Sequence, residues 1–233
     1  MFTVGTRNEA NRVKWIEETL KKIPAGSHLL DAGAGECQFK KFCGHLEYTS
    51  QDFGQYDGTG DTGLQTGTWD NSKLDIVSDI TSIPRPDASF DAIMCTEVFE
   101  HIPHPQMAIR EFARLLKPGG YVLITAPFAS ITHFAPYHFG TGYNRYFYEH
   151  HLGAHGFEIL DLQMNGNFFE FVAQELRRVK YVSKRYTSKR FSLLDKIFIH
   201  LPLLTLQKLS RADKGSSELL SFGVHVFARK NQL

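Results

Sequence analysis

An α/β fold built on a mostly parallel sheet is predicted by three features of the 233-residue sequence. Short apolar runs alternate with segments of helical apolar spacing, the pattern of strands joined by crossover helices that cover both faces of a sheet. The first apolar run enters Asp31-Ala32-Gly33-Ala34-Gly35, a glycine turn that can carry a strand tightly into a helix. Two late strand-like runs, Phe157 to Leu162 and Ser221 to Arg229, are separated by residues 164–220 of helical pattern, too long for a hairpin turn and therefore read as a helical insertion.

Taken in order, Asn8 to Lys22 has Val13, Ile16 and Leu20 at helical spacing, closed by Pro24-Ala25-Gly26. His28 to Asp31 is the first strand and Leu46 to Phe53 the second, which ends at Asp52. Residues 54–72 carry five glycines (54, 58, 60, 63 and 67) and read as an irregular loop, long enough to be functional. Leu74 to Val77 and Phe90 to Cys95 are the next strands. Pro105 to Leu116 is a helix with Met107, Ile109, Phe112, Leu115 and Leu116 as its apolar positions, stopped by Pro118-Gly119-Gly120. Tyr121 to Ala126 is a strand, and Asn144 to His155 a helix ended by Gly156.

Composition narrows the class. At 42% hydrophobic and 22% charged residues the chain can build a core, and its length fits one domain with an appendage, residues 1–233 with the insertion at 164–220. Twenty-six Lys and Arg against 25 Asp and Glu leave a charge of +1, which argues against a nucleic-acid partner. The balance is a cancellation: residues 171–215 hold 11 basic and three acidic residues, so the insertion is basic and the rest acidic. The polar N-terminus is not a secretory signal, no window is long and apolar enough to span a bilayer, and Cys37, Cys43 and Cys95 form no disulfide pattern; a cytoplasmic protein is expected.

Asp52 follows Asp31 by 21 residues, at the end of the second strand, where a carboxylate can accept both hydroxyls of a ribose. The third glycine of a dinucleotide fingerprint would stand at position 38, which is Gln38, and no P-loop is present. A nucleoside ligand without a pyrophosphate fits better. The fourth strand ends Cys95-Thr96-Glu97-Val98.

On Leu30 to Gly35, Ser78-Asp79-Ile80, Ser89 to Ile93, Glu97-Val98-Phe99-Glu100-His101 and Leu116 to Gly120, in that order and spacing, the sequence resembles the class I S-adenosylmethionine-dependent methyltransferases over residues 25–162. The resemblance implies a Rossmann-like seven-stranded sheet with an antiparallel last strand, and S-adenosylmethionine as cofactor. It implies that Asp31, Ala32, Gly33 and Gly35 surround the methionine part, Asp52 holds the ribose with Phe53 beside the adenine, Asp79 and Ile80 meet the adenine, and Thr96 and Glu97 line the sulfonium side. One departure is the loop 54–72, where the family usually has a helix.

The family varies after the fifth strand, here Pro127 to His151. His133, Pro136 and Tyr137 followed by Arg145 and Tyr146 resemble methyltransferases of glycan and polysaccharide pathways. A small-molecule or glycan-like acceptor, methylated at oxygen, is therefore expected, with Tyr137, Tyr143 and Arg145 on the substrate; a scaffold that binds cofactor without turnover is the alternative. Arg145 has two readings, an anion ligand or a tie between the substrate loop and the body. An oxygen acceptor must lose its proton, and a neutral histidine suits that: His133, His138 and His101, in that order. Asp79 has a second reading as a turn cap, and Glu100 is read as part of a network at a helix start. Eleven histidines show no ligand spacing, and His150 and His151 point apart on a helix, so no metal site is predicted. Arg177 to Arg190 has seven basic residues and no acid; the apolar run Phe191 to Leu206, interrupted by Pro202, follows it. Packing on the domain is the expected role of this pair, and peripheral membrane contact through 177–206 the alternative.

Overall fold

The structure, a computed structural model, describes residues 3–58, 63–64, 67–189 and 191–232. Gly60 of the glycine-rich loop and Arg190 of the basic block lie outside the described residues.

The described strands are β1 (His28–Ala32), β2 (Glu47–Asp52), β3 (Ile76–Val77), β4 (Phe90–Thr96), β5 (Leu116–Pro127), β6 (Phe157–Asn165) and β7 (Gly223–Lys230). They form one sheet in the order β3-β2-β1-β4-β5-β7-β6. Strands β1 to β5 pair in parallel, and β7 runs antiparallel between β5 and β6. The order reverses at β1, which pairs with β2 on one side and β4 on the other. A crevice opens outside the carboxyl ends of strands at such a reversal, and ligands bind there.

Apolar periodicity decides which face each helix covers. On α1 (Asn8–Leu20), Trp15, Ile16 and Leu20 are buried with Leu29, Met94, Leu123 and Phe227 on one face of the sheet. On α2 (Pro105–Leu115), Ala108, Ile109, Phe112 and Leu115 are buried on the other face. There they meet Phe99 and, from α3 (Arg145–Ala154), Tyr148 and Leu152. Pro105 opens α2 where a missing N–H costs nothing, and Asn144 caps α3 by accepting from the Phe147 N–H.

Three boundaries depart from the sequence reading. The glycine turn does not lead into an α-helix: a turn and the single 3-10 turn Lys40–Phe42 follow it, because the chain re-enters the sheet at Glu47. The Leu74–Val77 strand shrinks to Ile76–Val77 at the sheet edge. Pro118-Gly119-Gly120 does not stop α2, which ends at Leu115; β5 starts at Leu116, paired with Phe90, and the glycines form a bulge before Tyr121 pairs with Ala92.

The insertion forms α4 (Phe168–Tyr186) and α5 (Leu193–Arg211), capped by Asn167 and by a Ser192/Asp195 capping box. Pro202 lies inside α5 without ending it. Val4, Ala173 and Leu203 make a small core between this pair and the N-terminal segment. The Gly5 N–H donates to Glu170 (2.6 Å) and the Arg177 guanidinium to the Val4 carbonyl (2.8 Å), which fasten the segment to α4. The apolar run thus divides: Leu203 is buried, while Leu193, Leu194, Phe198 and Leu201 stay exposed. No helix among the described residues is long and apolar enough to cross a membrane.

Candidate active site

A cavity of about 920 Å³ lies at the carboxyl ends of β1, β2 and β4. That is near the top of the range of roughly 300–1,000 Å³ for small-molecule pockets, with room for a cofactor and an acceptor together.

Its floor is the glycine turn. Gly33 and Ala34 donate their N–H groups to the Gln51 carbonyl (both 2.8 Å), so the turn is tied across to β2. Gly33 has φ +80°, and a Cβ there would lie 2.3 Å from Val98 Cγ2; only glycine lets the turn and the segment after β4 approach so closely. Asp52 ends β2 and accepts from two loop amides, Gly35 N–H at Oδ2 (3.1 Å) and Gly54 N–H at Oδ1 (2.9 Å). Each carboxylate oxygen keeps a second lone-pair direction for a ligand hydroxyl. Phe53 stands beside it, edge-on to Tyr137 at 4.8 Å.

Asp31 lies under the turn rather than in the cavity wall. It is 1% exposed; Oδ2 accepts from the Tyr48 hydroxyl at 2.6 Å, and Oδ1 has no partner among the described residues. Burial pushes its carboxyl up to about 7 against the Tyr48 hydrogen bond, with Asp52 adding to the rise. The folded pKa is above the unfolded one, so stability is lost as pH rises from about 4 through 7. Asp31→Asn keeps an acceptor for Tyr48 and removes the buried charge. Its unfolding free energy should exceed the wild type's at about pH 8 by on the order of 2–3 kcal/mol, the charge relief less the cost of an unpaired amide. The gain should vanish near pH 4. Denaturant titrations at both pH values check this.

Asp79 and Ile80 line the cavity beyond β3, and Asp79 also caps its own turn, accepting from the Thr81 N–H and hydroxyl, both at 2.8 Å. Thr96 and Glu97 close the β4 side. Glu97 has φ +56° and is paired with Arg12 of α1 at 2.8 Å. Arg12 therefore balances one acidic group at the mouth, and the sequence reading had assigned it no part.

The far wall is the segment after β5. Phe134 stacks on Tyr56 (4.2 Å between centroids) and meets Trp69 edge-on (5.0 Å). The Leu64 N–H donates to the Thr132 carbonyl. Tyr56 and Trp69 thus join Phe134 in one aromatic wall of the cavity, and the post-β5 segment is the strap that carries it. Tyr56, Trp69 and Phe134 were missed as site residues; aromatic residues among closely spaced glycines were the available signal.

His133 of the strap sits beside His101 and Glu100. His101 Nδ1 lies 2.6 Å from the Tyr137 carbonyl and His133 Nδ1 2.9 Å from the Ile131 carbonyl. A carbonyl only accepts, so each Nδ1 carries the proton and each Nε2 is a bare lone pair. Burial, with His133 adding, holds the His101 ring down at about 3, and burial lowers His133 too. Both imidazoles are neutral near pH 7. Glu100 is 1% exposed and neither carboxylate oxygen has a hydrogen-bond partner among the described residues; burial, then Glu97, raises its pKa well above the carboxylate range.

Three expected substrate-side residues are not brought to the cavity. His138 lies on the strap, its Nε2 3.2 Å from Ser130 Oγ. Tyr143 packs against Phe99 and Phe147, and its hydroxyl donates to the Phe99 carbonyl at 3.1 Å. Arg145 pairs with Glu149 and Glu218, both at 2.9 Å, which ties α3 to the approach to β7. The second of the two sequence readings of Arg145 describes this geometry. Tyr137, by contrast, lines the cavity.

The residues present fit S-adenosylmethionine on three counts. The carboxylate ending β2 suits a ribose, Phe53 and Ile80 offer apolar faces for a base, and buried Gln51 Oε1 at the floor lacks a partner among the described residues.

Residues 30–124 match a family described as a methyltransferase domain. A ubiquinone biosynthesis O-methyltransferase of Xanthomonas axonopodis pv. citri (strain 306) is 30% identical over 118 residues, covering 49% of this chain and 48% of the relative. The chain spans between about a quarter and a half of the length of the curated relatives it matches. Among solved structures, the 4+2 cyclase SpnF aligns with a TM-score of 0.55 at 21% identity, over 97% of this chain and 84% of that one. Phosphoethanolamine N-methyltransferase 2 of Haemonchus contortus in complex with S-adenosyl-L-methionine aligns with a TM-score of 0.50 at 16% identity, over 96% of this chain and 53% of that one. These structures share the Rossmann-like methyltransferase fold with this chain.

Proposed function

We propose that this chain, which carries a methyltransferase domain of the class I S-adenosylmethionine-dependent family, transfers a methyl group to an oxygen of a small-molecule, glycan-like acceptor. The observation that carries the reading is the cavity itself. A nucleoside-type floor (the glycine turn and Asp52) faces a wall of neutral histidines and aromatic rings across one space.

S-adenosylmethionine, when bound, supplies an electrophilic methyl group on a cationic sulfur. The protein's part is to position and to move one proton. Asp52 fixes the ribose, Phe53 and Ile80 hold the base, and Glu97 lies on the side of the positive charge. The acceptor's oxygen would take that methyl group, with the neutral thioether as the leaving group. The hydroxyl proton leaves at the histidine cluster, where His133 and His101 line the cavity and each keeps Nε2 unprotonated. Alignment supplies much of the rate, because the leaving group is already good. Tyr137, Phe134 and Tyr56 offer the aromatic faces and hydroxyls that suit a sugar or a polar ring. A scaffold without turnover would leave these neutral, proton-accepting groups without a task.

The arm made by α4 and α5 belongs to the same proposal. Exposed Leu193, Leu194 and Phe198 beside a basic helix suit peripheral contact with an anionic lipid surface, where a lipid-linked acceptor would lie.

Calorimetry with S-adenosylmethionine and with its demethylated product tests the first step. Both should bind, and NAD should not compete. Folded protein that binds neither sinks the cofactor assignment.

A further inference from the structure

The proposed transfer gives no role to Glu100, a carboxylate only 1% exposed beside the cavity. We propose that Glu100, His101 and His133 hold a divalent transition-metal cation of the zinc type at the acceptor side of the cavity.

The three side chains offer ligand atoms that all lie within 4.8 Å of one another. Glu100 Oε1 is 3.6 Å from His101 Nε2 and 3.8 Å from His133 Nε2. These separations are too long for hydrogen bonds, so the groups do not satisfy one another. They are close to the edge of a tetrahedron around an ion with bonds of about 2.0–2.1 Å, roughly 3.4 Å.

Protonation and support agree with this. A metal-binding imidazole needs its lone pair on the coordinating nitrogen, and its other N–H is usually held by a carbonyl or carboxylate. Both rings meet that condition through Tyr137 and Ile131, and both lone pairs face Glu100. The carboxylate is buried with neither oxygen hydrogen-bonded among the described residues, an arrangement expensive for a charge unless a cation compensates it. His101 and His133 also line the cavity, whereas Glu100 lies behind them. An ion among them would have three protein ligands and an open position toward the acceptor, the pattern of a catalytic rather than a structural site.

The consequence for chemistry rests on the methyl-transfer reading; the site itself does not. A hydroxyl oxygen bound at the open position has its pKa lowered by the cation and releases its proton to solvent, leaving the oxygen to take the methyl group. The two imidazoles then act as ligands rather than as bases.

The test is titration of the full chain with Zn²⁺ by calorimetry, and with Co²⁺ by visible absorption. One ion should bind with micromolar or tighter affinity, and Co²⁺ should give the intense bands of a four- or five-coordinate site. Glu100→Gln keeps the side chain's shape, and it and His133→Ala, each removing a direct ligand, should weaken binding by more than the roughly 10- to 100-fold that loss of a ligand's supporting partner costs. His151→Ala, outside the cluster, should not. Thermal unfolding without metal shows whether each variant is folded; if Glu100→Gln is not, His133→Ala on the strap decides. Equal affinity in wild type and the folded variants, or no binding near 100 µM metal, overturns the inference. S-adenosylmethionine titrated into the same samples separates the two readings: cofactor binding without metal binding refutes only the metal site, and the reverse refutes only the cofactor.

Discussion

His133→Ala is expected to lower methyl transfer about 10²- to 10⁴-fold and to leave S-adenosylmethionine affinity within a factor of about two. His133 sits on the strap over the cavity, with Nδ1 committed to the Ile131 carbonyl and Nε2 facing Glu100. The ring meets His101 edge-on at 4.7 Å and reaches none of the groups that would hold the ribose or base. The strap's ties to the glycine-rich loop run through the Leu64 to Thr132 backbone bond and through Phe134 on Tyr56 and Trp69, none of which uses the His133 ring. Removing the ring therefore takes away a proton-accepting or metal-binding atom on the acceptor side alone. The loss should appear in kcat, with the calorimetric Kd for the cofactor as control. Turnover equal to wild type would move the role to His101, the other histidine lining the cavity near the acceptor side. A parallel fall in cofactor affinity would mean that the ring supports the cavity as a whole.

The strands and their covering helices were legible because they rest on local patterns: apolar runs, glycine turns and helices with one apolar face; the antiparallel last strand entered only through the family resemblance, and the reversal of strand order at β1 is set by pairings across the chain. The floor of the site was legible for the same reason, since Gly33, Gly35 and Asp52 lie where a strand ends. What the sequence hid comes from meetings across the chain. Arg12 reaches Glu97 over 85 positions. His101 and His133 are 32 residues apart, so no ligand spacing betrays them; only the strap's path across the β4 end makes them neighbours. Tyr143 and Arg145 failed as substrate contacts for the converse reason. They adjoin the strap in sequence, yet α3 begins at Arg145 and turns them into the core and onto α3's own surface. Glu100 was read as part of a network at a helix start, yet neither carboxylate oxygen has a hydrogen-bond partner among the described residues, which a sequence cannot show.

Asp52→Ala should weaken cofactor binding by about 1–3 kcal/mol, roughly 5- to 150-fold in Kd, by leaving a ribose hydroxyl pair without its acceptor. The residue also has a structural task, because it accepts from the Gly35 and Gly54 amides and so joins the glycine turn to the loop after β2. Two measurements separate these contributions. Asp52→Asn keeps an acceptor oxygen for one of the two loop amides but turns a donor toward the other, so it should restore only part of the thermal stability lost in Asp52→Ala and little of the affinity. The second measurement compares S-adenosylmethionine with its demethylated product. The two ligands share the ribose and differ at the sulfur, so a ribose contact costs both the same. Loss confined to the charged ligand would instead mark Asp52 as a long-range partner of the sulfonium, a part better suited to Glu97. Unchanged affinity for both would show that the carboxylate serves the loop alone and that the ribose is held elsewhere at the β2 end.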